Sequence, residues 1–177
     1  MLLDQATHRR QCPLHLRSAQ LAGHLGRFDE AETSYRQALR LEPGDRTAYH
    51  GLATLLVLRN EIAEAIRALD QGRLEVEAPD NLTLLLAWLL ACSPKQDLRD
   101  GPRALELATS SGQNSPLADA TRAMAAAETR DFQLAARWQR ESLAAQEHKR
   151  RRQQLESYED NKKCGTRSPE ELLLPPE

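Results

Sequence analysis

Histidine and cysteine are the side chains of this 177-residue sequence best suited to do chemistry, and their spacing argues against most of it. His8, His15, His24, His50 and His148 offer metal ligands or general bases. No two of them stand four apart with a helical carboxylate, as a zinc-dependent hydrolase requires. His24 and His50 are the pair that neighbouring helices could bring together, but solvated surface histidines are the default and no metal is expected. Cys12, Cys92 and Cys164 are far apart and form no metal-ligand or redox pair, which suits reduced thiols in a cytoplasmic protein. A glycine-rich phosphate loop and a nucleophile elbow are both missing from the sequence, so no catalysis, cofactor or small-molecule substrate is expected.

Charge and hydropathy exclude two further classes. The run Lys149-Arg150-Arg151-Arg152 could touch a polyanion, but its side chains point around most of a helical turn. Glu147, Glu156, Glu159 and Asp160 flank it, and Tyr158 is the only aromatic nearby that could stack a base. With a net charge of -2, a solvated helix face is the expected reading and no nucleic-acid partner is expected. The longest apolar stretch, Leu82 to Cys92, is interrupted by Thr83 and falls short of the roughly 20 residues that cross a bilayer. Residues 1–13 lack the apolar core of a signal peptide, so no membrane insertion is expected.

The elements that must position any site are written as a repeat. Ala19 and Ala53, Gly26 and Asn60, Phe28 and Ile62, Glu30 and Glu64, Ala31 and Ala65, Tyr35 and Leu69, and Ala38 and Gly72 all differ by 34 in number. A shared offset across so many small, apolar and turn positions marks stacked units that reuse the same contacts. No run of alternating β-branched residues is visible, so the fold class is all-α. The first helix is expected to start near Pro13 and to end at Gly26, a residue suited to a left-handed helix terminus. Phe28, Ala31, Tyr35, Ala38 and Leu39 then share one face, and Pro43 and Gly44 stop that helix. Asp45 is placed to cap the next, where Tyr49, Leu52, Ala53 and Leu56 form a core stripe, followed after Asn60 by Ile62, Ala65, Ile66 and Leu69.

At Leu52 and Ala53, at Gly26-Arg27-Phe28-Asp29-Glu30-Ala31, and at Tyr35, Ala38 and Pro43, the chain resembles the tetratricopeptide repeat family, whose 34-residue unit is a helix-turn-helix. The resemblance implies a right-handed α-solenoid of about four hairpins. The expected repeats cover residues 12–45, 46–79, 80–113 and 116–146 of a repeat domain spanning 1–163, closed by a polar capping helix to about 163. Residues 164–177, with Gly, Ser and three prolines, read as a disordered tail. Repeat 1 departs from the family pattern, with His15 where an aromatic is usual and Ser18 where Leu is usual. In repeat 3, Ala53 to Ala87 spans 34 residues but Ala65 to Ala104 spans 39, an insertion of five near Ser93 to Gly101. That irregular repeat looks like a subtype common in bacterial multidomain proteins. Asp100 and Pro102 suit the start of its second helix. In repeat 4, Ala123 and Ala135 keep the twelve-residue spacing of Ala19 and Ala31, while Arg122 stands where Leu52 stood.

Tetratricopeptide proteins use the concave surface of their first helices to hold peptides. Carried over residue by residue, the resemblance implies an inner face of Leu16, Gln20 and His24; Thr47, His50, Thr54 and Val57; Leu84, Trp88 and Ala91; and Met124 and Glu128. Such a face, poor in Lys and Asn, does not match the subgroup that clamps a peptide's terminal carboxylate and suits an apolar peptide or a neighbouring domain. Trp88 fits either the groove or simple packing. The resemblance therefore implies a non-catalytic interaction or scaffold module, or alternatively a regulatory or oligomerising appendage of a larger enzyme such as a kinase.

Overall fold

The computed structural model describes residues 2–76, 80–145, 152 and 156, and every regular element among them is helical. In chain order these are α1 (Leu2–His24), α2 (Phe28–Leu41), α3 (Arg46–Leu58), α4 (Ile62–Glu75), α5 (Asp80–Cys92), a short 3₁₀ turn (Gln96–Leu98), α6 (Gly101–Ser110), α7 (Pro116–Glu128) and α8 (Phe132–Ala145). The chain divides into two compact units, Met1–Leu82 and Thr83–Glu177. The polar capping helix, the basic run from Lys149 and the tail after Cys164 lie outside the described residues, except that Arg152 and Glu156 are helical and exposed.

In the first unit, α1 packs along α2, α2 against α3, and α3 against α4. Ala19, Ala31, Ala38, Ala53 and Ala65 have no exposed surface, and Tyr35 and Leu69 are buried with them. Small residues at these crossings let helix backbones approach closely, which is why the 34-residue register is built on alanine. Two glycines serve the same packing. A Cβ on Gly72 would sit 2.7 Å from the Tyr49 ring, and one on Gly51 would overlap the Tyr35 ring.

The turn that joins the helices of a hairpin is the same three times. Gly26, Asn60 and Arg130 are left-handed, with φ of 73°, 61° and 65°. After each, an amide reaches back to close the helix: Arg27 to the Ala22 carbonyl at 2.8 Å, Glu61 to Leu56 at 2.8 Å, and Asp131 to Ala126 at 3.0 Å. This paired closure satisfies carbonyls that a helix end leaves open. Arg130 adopts the turn without being glycine or asparagine, so local residue type was a weaker guide there than repeat position.

Helix starts follow the expected chemistry. The Asp45 carboxylate accepts from the amides of Thr47 at 2.8 Å and Ala48 at 3.1 Å, and Asp100 accepts from Arg103 at 3.0 Å. Ser115 caps α7 by accepting from Ala118 at 3.2 Å. One expectation fails: α1 starts at Leu2, well before Pro13, which lies inside the helix. A proline there removes one N–H from the ladder and crowds the carbonyl four residues earlier, a cost offset where Cys12 beside it is buried near the Ala38 carbonyl and anchors the backbone.

In the second unit, α7 packs between α6 and α8. Ala123, Ala126, Ala127, Ala135 and Ala136 form its centre, with Leu105, Leu134 and Trp138 packed around them. Arg122 is buried at the position that Leu52 takes in α3. Its Nε donates to the Ala108 carbonyl at 3.1 Å, Nη2 to the Gln113 carbonyl at 2.7 Å and Nη1 to Asp119 Oδ1 at 2.8 Å. Trp138 covers the guanidinium at 5.0 Å. The arginine thereby fastens the α6–α7 connection, adding a charged donor to the Gln113 carbonyl and to the Ala108 carbonyl, which also accepts from the Ser111 hydroxyl at 3.0 Å.

Candidate functional site

The residues expected on the inner face of the first helices separate into an accessible set and a buried set. Gln20 and His24 on α1 and Thr47 and His50 on α3 are exposed, while Leu16 and Thr54 are half-buried. Leu16 and His50, and Gln20 and Thr54, hold the same repeat positions, 34 apart, on two first helices that touch each other. This part of the face is mildly polar. His50 is exposed in area, yet the surrounding protein partly desolvates its imidazole and lowers its pKa below 6.5, so it stays neutral at neutral pH. A neutral imidazole, two threonines and a glutamine can exchange hydrogen bonds with a peptide backbone, with Leu16 as apolar contact.

Four expected residues leave the accessible face. Val57, Leu84, Ala91 and Met124 are buried, so they offer a peptide no surface. Helical periodicity could not separate them from exposed neighbours because α5 is apolar nearly all round and α7 is rich in alanine. The Met124 sulfur lies 3.1 Å from the Cys92 sulfur, inside the second unit. Glu128 is half-buried and stands 3.5 Å from the Arg99 guanidinium, whose Nε donates to the Ser93 carbonyl at 2.7 Å. Its carboxylate is therefore committed to the five-residue insertion of the third repeat. Trp88 is half-buried, and its indole N–H is buried without a hydrogen-bond acceptor, which places the polar end of the ring inward.

A second concavity lies on the first unit. A groove of about 760 Å³ opens between α2 and α4 above α3, floored by Leu39, Tyr49, Leu52 and Leu56 and edged by Arg36, Arg40, Arg67 and Glu75. At 3.6 residues per turn, Tyr49, Leu52 and Leu56 point to the opposite side of α3 from Thr47, His50 and Thr54. The sequence reading missed this groove, because Tyr49, Leu52 and Leu56 look like an ordinary core stripe. Two of its edge arginines are neutralised in place: Arg36 bridges Glu32 at 2.7 Å and Arg67 bridges Glu64 at 3.3 Å.

Two charged clusters in the first unit are structural. Arg59 at the end of α3 reaches Asp29 at 3.0 Å and Glu32 at 2.7 Å on α2, and Glu61 at 3.0 Å. Cys12, Glu42 and Asp45 bring three potential metal-ligand atoms within 4.8 Å of one another. The Asp45 Oδ1 is already held by two amides at the start of α3, and the Cys12 thiol lies 3.6 Å from Oδ2. Burial, followed by hydrogen bonding to Glu42 and the charge of Asp45, pushes the thiol up to about 12. Cys12 is thus a protonated donor to two carboxylates, a use of cysteine that no spacing motif announces.

Residues 24–89 match the family model of the tetratricopeptide repeat. Among curated proteins, none matches the chain. The matched segment contains α2 to α4 and most of α5, including the accessible positions Thr47, His50 and Thr54.

Proposed function

Starting from a chain that belongs to the tetratricopeptide repeat family through residues 24–89, we propose that it is a non-catalytic interaction module that holds a peptide segment of another protein against its first helices. Repeats of this family mediate protein–protein interaction, and among the described residues no helix is long and apolar enough to cross a membrane. The observation that supports the reading best is the pair of matched positions on neighbouring first helices, Leu16 with His50 and Gln20 with Thr54, all accessible and all uncharged at neutral pH. An extended peptide supplies backbone donors and acceptors at short intervals, which neutral polar side chains meet without the desolvation cost of a charge. The partner is a cytoplasmic protein with a mildly apolar segment, and nucleic acid is not a ligand.

The test compares two faces of the first unit, one on α3 and one edged by α2. His50→Glu/Thr54→Glu should abolish capture of a purified partner that the unaltered protein retains, with circular dichroism unchanged because both side chains are accessible. Arg40→Glu, on the edge of the opposite groove, should leave that capture intact. Equal retention by His50→Glu/Thr54→Glu and the unaltered protein would exclude the first-helix face as the binding surface.

A further inference from the structure

On α1, Leu14, Leu21 and Leu25 are 65%, 62% and 61% exposed, where the other exposed large apolar side chains of the first two hairpins, Leu58 at 45% and Leu74 at 86%, stand singly. With exposed Ser18 they fall at spacings of four, three and four, the pattern by which one helix presents a seam to another. On the 3.6-residue turn the seam is distinct from the buried face of Cys12, Ala19 and Ala22 and from the candidate peptide face of Leu16, Gln20 and His24.

The repeat shows what such a face is for. The positions 34 further on are Ala48, Leu52, Leu55 and Arg59. The first three are buried, and Arg59 is clasped by Asp29 and Glu32 of α2. The same face of α3 is therefore the interface between one hairpin and the one before it. On α1 that face is exposed among the described residues. Nor does the chain turn back there to close it: α1 remains helical through residues 8–11, the positions at which the loop Glu42–Asp45 separates α2 from α3.

We propose that this face pairs with the same face of a second copy of the chain, two α1 helices lying antiparallel about a two-fold axis. The seam is complementary to itself in that direction. Leu14 meets Leu25 of the other copy and Leu21 meets Ser18, so each leucine faces a leucine or the small side chain that leaves it room. Arg17, exposed beside the seam, meets the Ala22 position and so faces no like charge directly. Three leucines and their surroundings cover less than the roughly 800 Å² per partner of a standard interface, so the dimer is weak and reversible.

Sedimentation equilibrium on the full chain from about 5 to 500 µM tests the pairing. The apparent mass should rise from 19.9 kDa towards twice that value. Leu21→Glu should weaken dimerisation at least tenfold, since a carboxylate is placed in the seam twice per dimer, and its circular dichroism should match that of the unaltered protein. Ser18→Lys should weaken it similarly. Mixing the two variants should restore association, because the lysine of one chain then meets the glutamate of the other at one crossing while the second crossing keeps the unaltered Ser18 and Leu21. A single 19.9 kDa species at every concentration, dimerisation unchanged in Leu21→Glu, or a mixture no more associated than its components would each overturn the antiparallel pairing.

Discussion

Replacing Arg122 by alanine should destabilise the second unit by about 3–5 kcal/mol, the range for removing one member of a buried ion pair. The structure supplies the components. The carbonyls of Ala108 and Gln113 lose charged donors at 3.1 and 2.7 Å, Ala108 keeping only the Ser111 hydroxyl at 3.0 Å, and a hydrogen bond to a charged group contributes about 1.5–3 kcal/mol. Asp119 loses its 2.8 Å partner while its side chain remains only 17% exposed, and Trp138 loses the cation over its ring. These losses overlap and are not summed. Urea unfolding followed by tryptophan emission isolates the effect, because Trp88 and Trp138 are the two tryptophans of the chain and both lie in the second unit. Arg122→Leu restores apolar volume of the kind Leu52 supplies in α3 but removes the charged donor from both carbonyls, so it should fall between the alanine variant and the unaltered protein. If Arg122→Ala lowers stability by less than about 1 kcal/mol, or Arg122→Leu unfolds at the unaltered midpoint, the carbonyls are not being satisfied by this guanidinium and the reasoning fails.

Two further outcomes follow from the first unit. Gly51→Ala should destabilise by roughly 1–3 kcal/mol despite alanine's better helix propensity, because the added Cβ overlaps the ring of buried Tyr35, whereas relief by Tyr35→Leu in the same background should recover part of the loss; a thermal midpoint raised by Gly51→Ala alone would refute the close crossing. Cys12, with its pKa raised from 9.0 to about 12, should react with iodoacetamide at pH 8 far more slowly in the folded protein than in urea. Because the folded value lies above the unfolded one, its contribution to stability is complete below pH 9 and is lost as pH rises from 9 towards 12. Equal labelling rates in the two states, read on the Cys12 peptide by mass spectrometry, would contradict the buried thiol.

The sequence alone determined the helical hairpin and its register, because those depend on short-range chemistry repeated at a fixed interval. Pro43 with Gly44 stops a helix, Asp45 starts one, Gly26 and Asn60 take the left-handed turn, and alanines 34 apart mark where backbones meet. Each of these acts within a few residues of itself and needs no distant partner to be recognised. Which apolar residues remain at the surface was decided by tertiary packing. Leu21 on α1 is exposed while Leu55 at the same repeat position is buried, and the two side chains are identical. What differs is that α1 and α2 pack against α3, while among the described residues that face of α1 is left exposed. The same holds for the candidate site: the family resemblance put Thr47, His50, Thr54 and Val57 on an inner face with Leu84, Ala91 and Met124, but could not tell that Val57, Leu84, Ala91 and Met124 would be closed over. Arg122 is the reverse case. It looked like a break in a leucine position, and only the folded chain brings the carbonyls of Ala108 and Gln113 and the Asp119 carboxylate to its guanidinium, since a buried charge is tolerated where acceptors converge on it.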